Sequence, residues 1–402
     1  MIDFLFFFLL IFGYKIGYID YSILLPGFIL LCHILLYQRL NIKLPKILTL
    51  IFLFLILTVF ISFISMTYSQ ENLVAEYSLK PLRIILFMYI LWAYIDIKHL
   101  TFFSILKNIS YIVFAHAIVI YIQFSLAITG IEPGFLYNPI VGIGSPFRAV
   151  GFGTGYPNAG IIILLGSLVN LYLCFNLNSN KFKAIFLISF AAIFFTARSA
   201  MYLFLLIIPT YLTYLSFYYR RFNTIILFTL TVTLIASTIY FFYLPVFQGV
   251  INKIFANVIN FYNIGNFHDY SSEALFSERH IYFPNDIKTF LIGDYLGREN
   301  GFKTSDMGLI GVLNGSGFII LFIYILIYSI IYWQCYTRLK SIYAYPLKFL
   351  LILVYFVLFI MQFKTNLFFA RVGGDLILII SFIFIYARFN DKVIYTITKE
   401  KS

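Results

Sequence analysis

The chain has 402 residues, of which 62% are hydrophobic and only 11% charged, and its formal net charge is +12. An ordinary soluble domain carries about a quarter charged residues, whereas apolar runs here recur from Ile2 almost to Ile385. That excludes a soluble enzyme, a disordered chain and a disulfide scaffold, and leaves an all-α polytopic integral membrane protein.

A spanning helix takes about 20 apolar residues, somewhat fewer where flanking side chains snorkel. In chain order the predicted spans are 2–14, 21–37, 47–66, 82–96, 109–128, 158–175, 184–196, 200–217, 224–245, 307–334, 347–363 and 376–388. The count is therefore about twelve, in a single membrane domain over 1–402. The run Ile2–Gly13 has no basic leader and no small-residue cleavage pattern, so it reads as the first span. Cys32, Cys174 and Cys335 lie in or at the ends of apolar runs with no CxxC or Cys/His spacing. They read as small apolar fillers, with neither a metal site nor a disulfide framework implied.

Lys and Arg set the sidedness. With the N-terminus in the cytoplasm, sixteen of the 28 basic residues fall in the short inner loops and tail. The other twelve are spread over outer segments of roughly twice the length, as the positive-inside rule requires. Of the sixteen acids only Asp3, Asp96, Asp391 and Glu400 are inner. The inner face thus carries 16 − 4 = +12 and the outer face 12 − 12 = 0. The net charge reports orientation, with both termini cytoplasmic, and calls for no nucleic acid.

Inner loops are too short to hold a domain. Outside there are two long segments, 129–157 and, between spans nine and ten, 246–306. Lys outnumbers Arg eleven to five on the inner face, while outside the two are equal at six each. Arg suits bidentate binding of phosphate or carboxylate near a low-dielectric surface. Arg148, Arg198, Arg279 and Arg371 stand in four separate outer loops and point to a shared anionic pocket.

Arg148 lies in a segment, Gly142–Gly160, that holds six glycines and two prolines and forms a tight irregular backbone. Such a segment reaches membrane depth only where it is buried in protein or lines a wet cavity. Asn158, after Pro157, begins the next span as its N-cap, where helix-terminal amides beside an Arg favour an anion. Arg198 sits in a short turn between two hydrophobic stretches and needs a cavity, a carboxylate or a phosphate. The 246–306 loop holds seven of the sixteen acids, is aromatic at its start, and contains Glu278-Arg279-His280. It closes with Ser305-Asp306-Met307-Gly308 at the mouth of span ten. Aromatic rings and carboxylates together suit sugars. No DxD pair lies in an outer loop, so no metal is implied.

Three fragments in this order resemble the bacterial O-antigen polymerases (Wzy type), within the superfamily that includes the O-antigen ligases. They are Arg148 to Asn158, with Gly151 inside and Pro157-Asn158 at the end; Arg279 upstream of Leu291-Ile292-Gly293; and Ser305–Gly308 followed by Gly317-Phe318-Ile319-Ile320. Ligases typically have a His where this chain has Asp306, and His268 and His280 lie well upstream, which favours the polymerase. The resemblance implies a membrane-embedded, metal-independent glycosyltransferase without a cofactor, in the bacterial inner membrane. Its substrate would be an undecaprenyl-diphosphate-linked oligosaccharide, and its partner a chain-length regulator. Arg148, Arg198, Arg279 and Arg371 would hold the diphosphate, with Asp306, then Glu278 and His280, as general base and Gly151 and Asn158 supporting the loop. Ligation of the polymer to lipid A core, and a lipid-linked oligosaccharide flippase or other transporter, are the alternatives.

Overall fold

The computed structural model describes residues 1–16, 19–37, 44–66, 74–128, 149–153, 155–222, 263, 283–284, 286–293, 308–341, 344–368 and 370–389. Among these the chain is mostly helical. The helices are α1 (Ile2–Phe12), α2 (Tyr21–Tyr37), α3 (Lys46–Met66), α4 (Val74–Ile97), α5 (Phe102–Ile128), α6 (Tyr156–Leu177), α7 (Asn180–Ala192) and α8 (Arg198–Tyr219). They continue with α9 (Ile287–Ile292), α10 (Gly308–Ser341), α11 (Tyr345–Met361) and α12 (Gly373–Tyr386). Eleven of the twelve predicted spans fall on helices, and the ninth, 224–245, lies outside the described residues. The stretches 46–64, 102–126, 156–177, 199–219 and 308–339 are each long and apolar enough to cross a membrane. This is the make-up of an all-α membrane protein.

Some bounds differ from the predicted ones for a physical reason. α4 begins at Val74, upstream of the predicted 82, so Arg83 stands inside the helix and not at its end, its charge matched by two carboxylates. Between α1 and α2 the chain makes a small antiparallel hairpin, β1 (Lys15–Ile16) with β2 (Ile19–Asp20). α10 is broken inside at Gly317.

The expected single membrane domain is organised as two compact units, 1–108 with 274–402, and 109–273. In the second, α6 is the central helix and packs on α7 and α8. Every one of its residues from Ala159 to Phe175 is buried. Glycines allow this close packing: a Cβ at Gly166 would strike the Val113 side chain, and one at Gly160 would strike Ala200 and Thr196.

In the first unit, α4 packs on α2, α3 and α12, and α10 on α3, α11 and α12. Two groups of paired charges stand at helix ends of this unit among the described residues. At the C-terminal end of α4, Lys98 pairs with Asp3 at 2.9 Å, and the Tyr94 hydroxyl donates to the same carboxylate at 2.7 Å. Phe6 stacks on Tyr94 with ring centroids 3.6 Å apart. Near the N-terminal end of α4, Arg83 meets Asp20 and Asp375. Each group contains only residues that the sequence assigned to one side of the membrane.

Candidate functional site

In the second unit, the segment 149–153 that follows Arg148 is bound to α5 by two side chains. The Gln123 Oε1 accepts from the Val150 and Gly151 amides at 3.1 and 2.8 Å, and its Nε2 donates to the Gly151 carbonyl at 3.0 Å. About two turns upstream, His116 Nδ1 accepts from the Phe152 amide at 3.1 Å. A side chain that satisfies three backbone groups at once replaces the partners an irregular segment lacks inside a membrane protein. Gly151 is required here: its φ is 58°, and a Cβ would strike the His116 ring. Gln123→Leu is expected to strand two amides and a carbonyl, at about 1–3 kcal/mol for each. The measurement is the unfolding midpoint of the detergent-purified protein, with His116→Ala lowering it less.

Two further predicted pieces converge on this segment. The Ala149 amide donates to the Phe195 carbonyl at 2.8 Å, which ties the residue after Arg148 to the turn that leads into Arg198. Arg198 is the first residue of α8; its side chain lies outside what is described. Gly160 packs on Thr196 and Ala200, so the first turns of α6 and α8 adjoin. Asn158, in the first turn of α6, has a buried Oδ1 with no hydrogen-bond partner.

The first unit holds a charge cluster. Arg83 Nε donates to Asp20 Oδ2 at 2.9 Å, and its Nη1 and Nη2 grip both oxygens of Asp375, the first at 3.0 Å. Arg371 Nη2 donates to Asp20 Oδ1 at 2.7 Å and to the Gly13 carbonyl at 2.6 Å. Two guanidiniums and two carboxylates thus join the α1–α2 hairpin, α4 and α12. Burial opposes the Asp20 carboxylate, but Ser22, Arg83 and Arg371 outweigh it and hold its pKa below the ordinary value. A depressed carboxyl stabilises the fold at neutral pH, and that contribution is lost as pH falls through the folded pKa.

Val372, between Arg371 and the start of α12, has φ 69° and ψ −77°, and the Gly373 amide donates to the Arg371 carbonyl at 2.9 Å. This is a γ-turn of the strained hand, unusual for a β-branched residue. It persists because both flanks are fixed: Arg371 by Asp20, and Asp375 by Arg83 and by the Val372 amide at 3.2 Å.

Two fragments of the family resemblance also meet in this unit. α9, capped by Asp286 Oδ1 on the Thr289 amide at 2.8 Å, ends at Gly293 with φ 77°. Gly293 lies against the break in α10, where Gly317 has φ 80°. A Cβ on Gly293 would be 2.6 Å from the Gly315 carbonyl oxygen and 2.7 Å from the Gly317 nitrogen. Leu291-Ile292-Gly293 is therefore seated on Gly315-Ser316-Gly317, backbone to backbone.

Of the predicted site residues, Asp306, Glu278, His280, Arg148 and Arg279 lie outside the described residues. Gly151, Asn158 and the Arg198 backbone come together in the second unit, and Arg371 belongs to the charge cluster of the first. Reading the sequence missed Gln123, Asp20 and Asp375. The signals were a lone Gln inside an apolar run and an acid directly after Gly373-Gly374. Among the described residues no group of three His, Cys, Asp or Glu side chains forms a metal site. Compared with protein-family models, curated proteins and solved structures, the chain matches none.

Proposed function

We propose that the chain is a polysaccharide polymerase that joins undecaprenyl-diphosphate-linked oligosaccharide repeat units at the outer face of the bacterial inner membrane. The observation that carries the reading is the Ala149–Phe195 hydrogen bond. It ties the segment that follows Arg148, which holds Gly151, to the turn before Arg198, and α6, which holds Asn158, adjoins the start of α8. The segment that directly follows Arg148 thus adjoins the turn that leads into Arg198. The sorting of charged helix ends in the first unit supports the proposed topology in the same way.

In the proposed reaction, a hydroxyl oxygen at the non-reducing end of one repeat unit attacks the anomeric carbon of the growing chain. A new glycosidic C–O bond forms, the bond from that carbon to the lipid diphosphate breaks, and the diphosphate leaves with the electron pair. The hydroxyl proton passes to a carboxylate, with Asp306 first and Glu278 second, or to His280. Guanidiniums of Arg148, Arg198 and Arg279 stabilise the charge that develops on the diphosphate. Arg371 acts there only if it exchanges Asp20 for the ligand. Single Arg148→Ala, Arg279→Ala and Asp306→Ala variants are expected to abolish long-chain glycan at normal protein level, read on a silver-stained glycan gel. Wild-type chain lengths in all three would contradict the site assignment.

One observation favours a transporter instead: α10 breaks within a span, and discontinuous helices frame substrate sites in transporters. In this chain the break is filled by the backbone of α9, which gives it a packing role.

A further inference from the structure

We infer that the end of the second unit formed by the α6–α7 turn and the close of α8 binds the phosphate of an anionic phospholipid, with an acyl chain lying along α8. Four cations stand there: Lys181 and Lys183 in the first turn of α7, and Arg220 and Arg221 directly after α8. The described part of this unit contains no Asp or Glu, and none of the four has an acidic partner among the described residues. The C-terminal ends of α6 and α8 each offset about half a charge, while the N-terminal end of α7 adds about half. About +3.5 of the charge therefore remains unmatched.

The two stretches are joined at the end of α6. Arg221 Nη1 donates to the Phe175 carbonyl at 2.7 Å, and the Tyr219 hydroxyl donates to Asn176 Oδ1 at 3.3 Å. Lys183 and Arg221 are both near enough to the Cys174 thiol for their charges to act on it. Lys183 Nζ donates to Asn180 Oδ1 at 3.2 Å, and Lys181 Nζ stands 4.5 Å from the centroid of the Tyr111 ring. Each contact holds a cation in place and leaves most of its N–H groups unspent. Arg220 is exposed, with φ 53° where Gly or Asn ordinarily closes a helix.

Orientation accounts for cations at this end, but not for what adjoins them. Phe217 and Phe222, both exposed, flank Arg220 and Arg221, with ring centroids 5.3 Å apart. Leu206, Thr213 and Phe217 lie on one face of α8 at helical spacing and are exposed along it. A mostly apolar stripe that ends in cations matches a molecule with a hydrocarbon chain below a phosphate. A nucleic acid or an acidic protein would use the charge alone and leave the stripe unmatched. The distribution of Lys and Arg assigns this end to the cytoplasmic leaflet.

The test follows the thermal unfolding midpoint of the full chain in nonionic detergent micelles, to which phosphatidylglycerol, phosphatidylcholine or soluble glycerol 3-phosphate is added. The expected result is a concentration-dependent rise with phosphatidylglycerol that exceeds the response to either of the others. Arg220→Asn should leave the lipid-free midpoint unchanged or higher, since Asn suits a positive φ, yet weaken the apparent phosphatidylglycerol affinity about fivefold. Lys181→Gln with Lys183→Gln should weaken it further, and Lys46→Gln with Lys348→Gln, in the first unit, should not. Equal responses to the two lipids, a response to glycerol 3-phosphate as strong as that to phosphatidylglycerol, or an undiminished affinity in Arg220→Asn overturns the inference. So does an equal loss in the two double-lysine variants, which would make net charge alone the cause. Binding is read without glycan synthesis, so the outcome does not depend on the polymerase reading.

Discussion

Asp375→Ala is expected to be among the most damaging single substitutions in the described residues, costing about 3–5 kcal/mol of stability. The Asp375 side chain is only 1% exposed and takes both Nη groups of Arg83, itself 13% exposed. Removing it leaves a buried guanidinium with one carboxylate, Asp20, which is shared with Arg371. It also releases the Val372 amide, which donates to Asp375 Oδ2, and with it the strained γ-turn that starts α12. The double variant Arg83→Met with Asp375→Leu should recover much of the loss, because an apolar replacement of a whole buried pair is often neutral. Unfolding midpoints of the three proteins in detergent decide the matter. A double variant as unstable as the single one would show that lost packing, not an uncompensated charge, is the cause.

Gly317→Ala is the second large effect. Its φ of 80° is strained for any L side chain, at about 1–3 kcal/mol, and a Cβ would strike the Leu291 carbonyl oxygen. The helix cannot relieve the clash by straightening, because Gly293 occupies the gap at the break. We expect loss of folded protein or displacement of α9, with Ser316→Ala, one residue away, much milder. Gly293→Ala should behave alike, and the two together should cost less than their sum because they break one shared contact. Protease susceptibility between α9 and α10, measured beside the unfolding midpoint, separates displacement of α9 from global loss.

What the sequence made legible follows from what each feature depends on. Span positions depend on runs of apolar residues, so α2 and α6 are found almost to the residue. The break in α10 depends on a contact with α9, and nothing in the apolar run around Gly315-Ser316-Gly317 sets its φ until Gly293 is placed beside it. The grouping of charged ends was legible as sidedness alone. Arg371 read as a ligand-binding arginine because the pairing of Asp20 with both Arg83 and Arg371 crosses more than 60 residues in one case and about 350 in the other. Gln123 was passed over because one amide in a long apolar helix has no spacing partner, although its three hydrogen bonds define the loop beside Arg148. Gly151 and Asn158, by contrast, carry local signals, a glycine-rich turn and a helix start, although the cap of α6 is Gly155 and Asn158 falls inside its first turn.

The polymerase reading meets its most direct test in a deletion of the gene, with the surface glycan resolved on a silver-stained gel. The account predicts that long-chain glycan disappears and a single repeat unit remains on lipid A, restored by the wild-type chain and not by Asp306→Ala. Unattached polymer retained on its lipid carrier would identify a ligase instead, and an unchanged ladder of chain lengths would contradict the account.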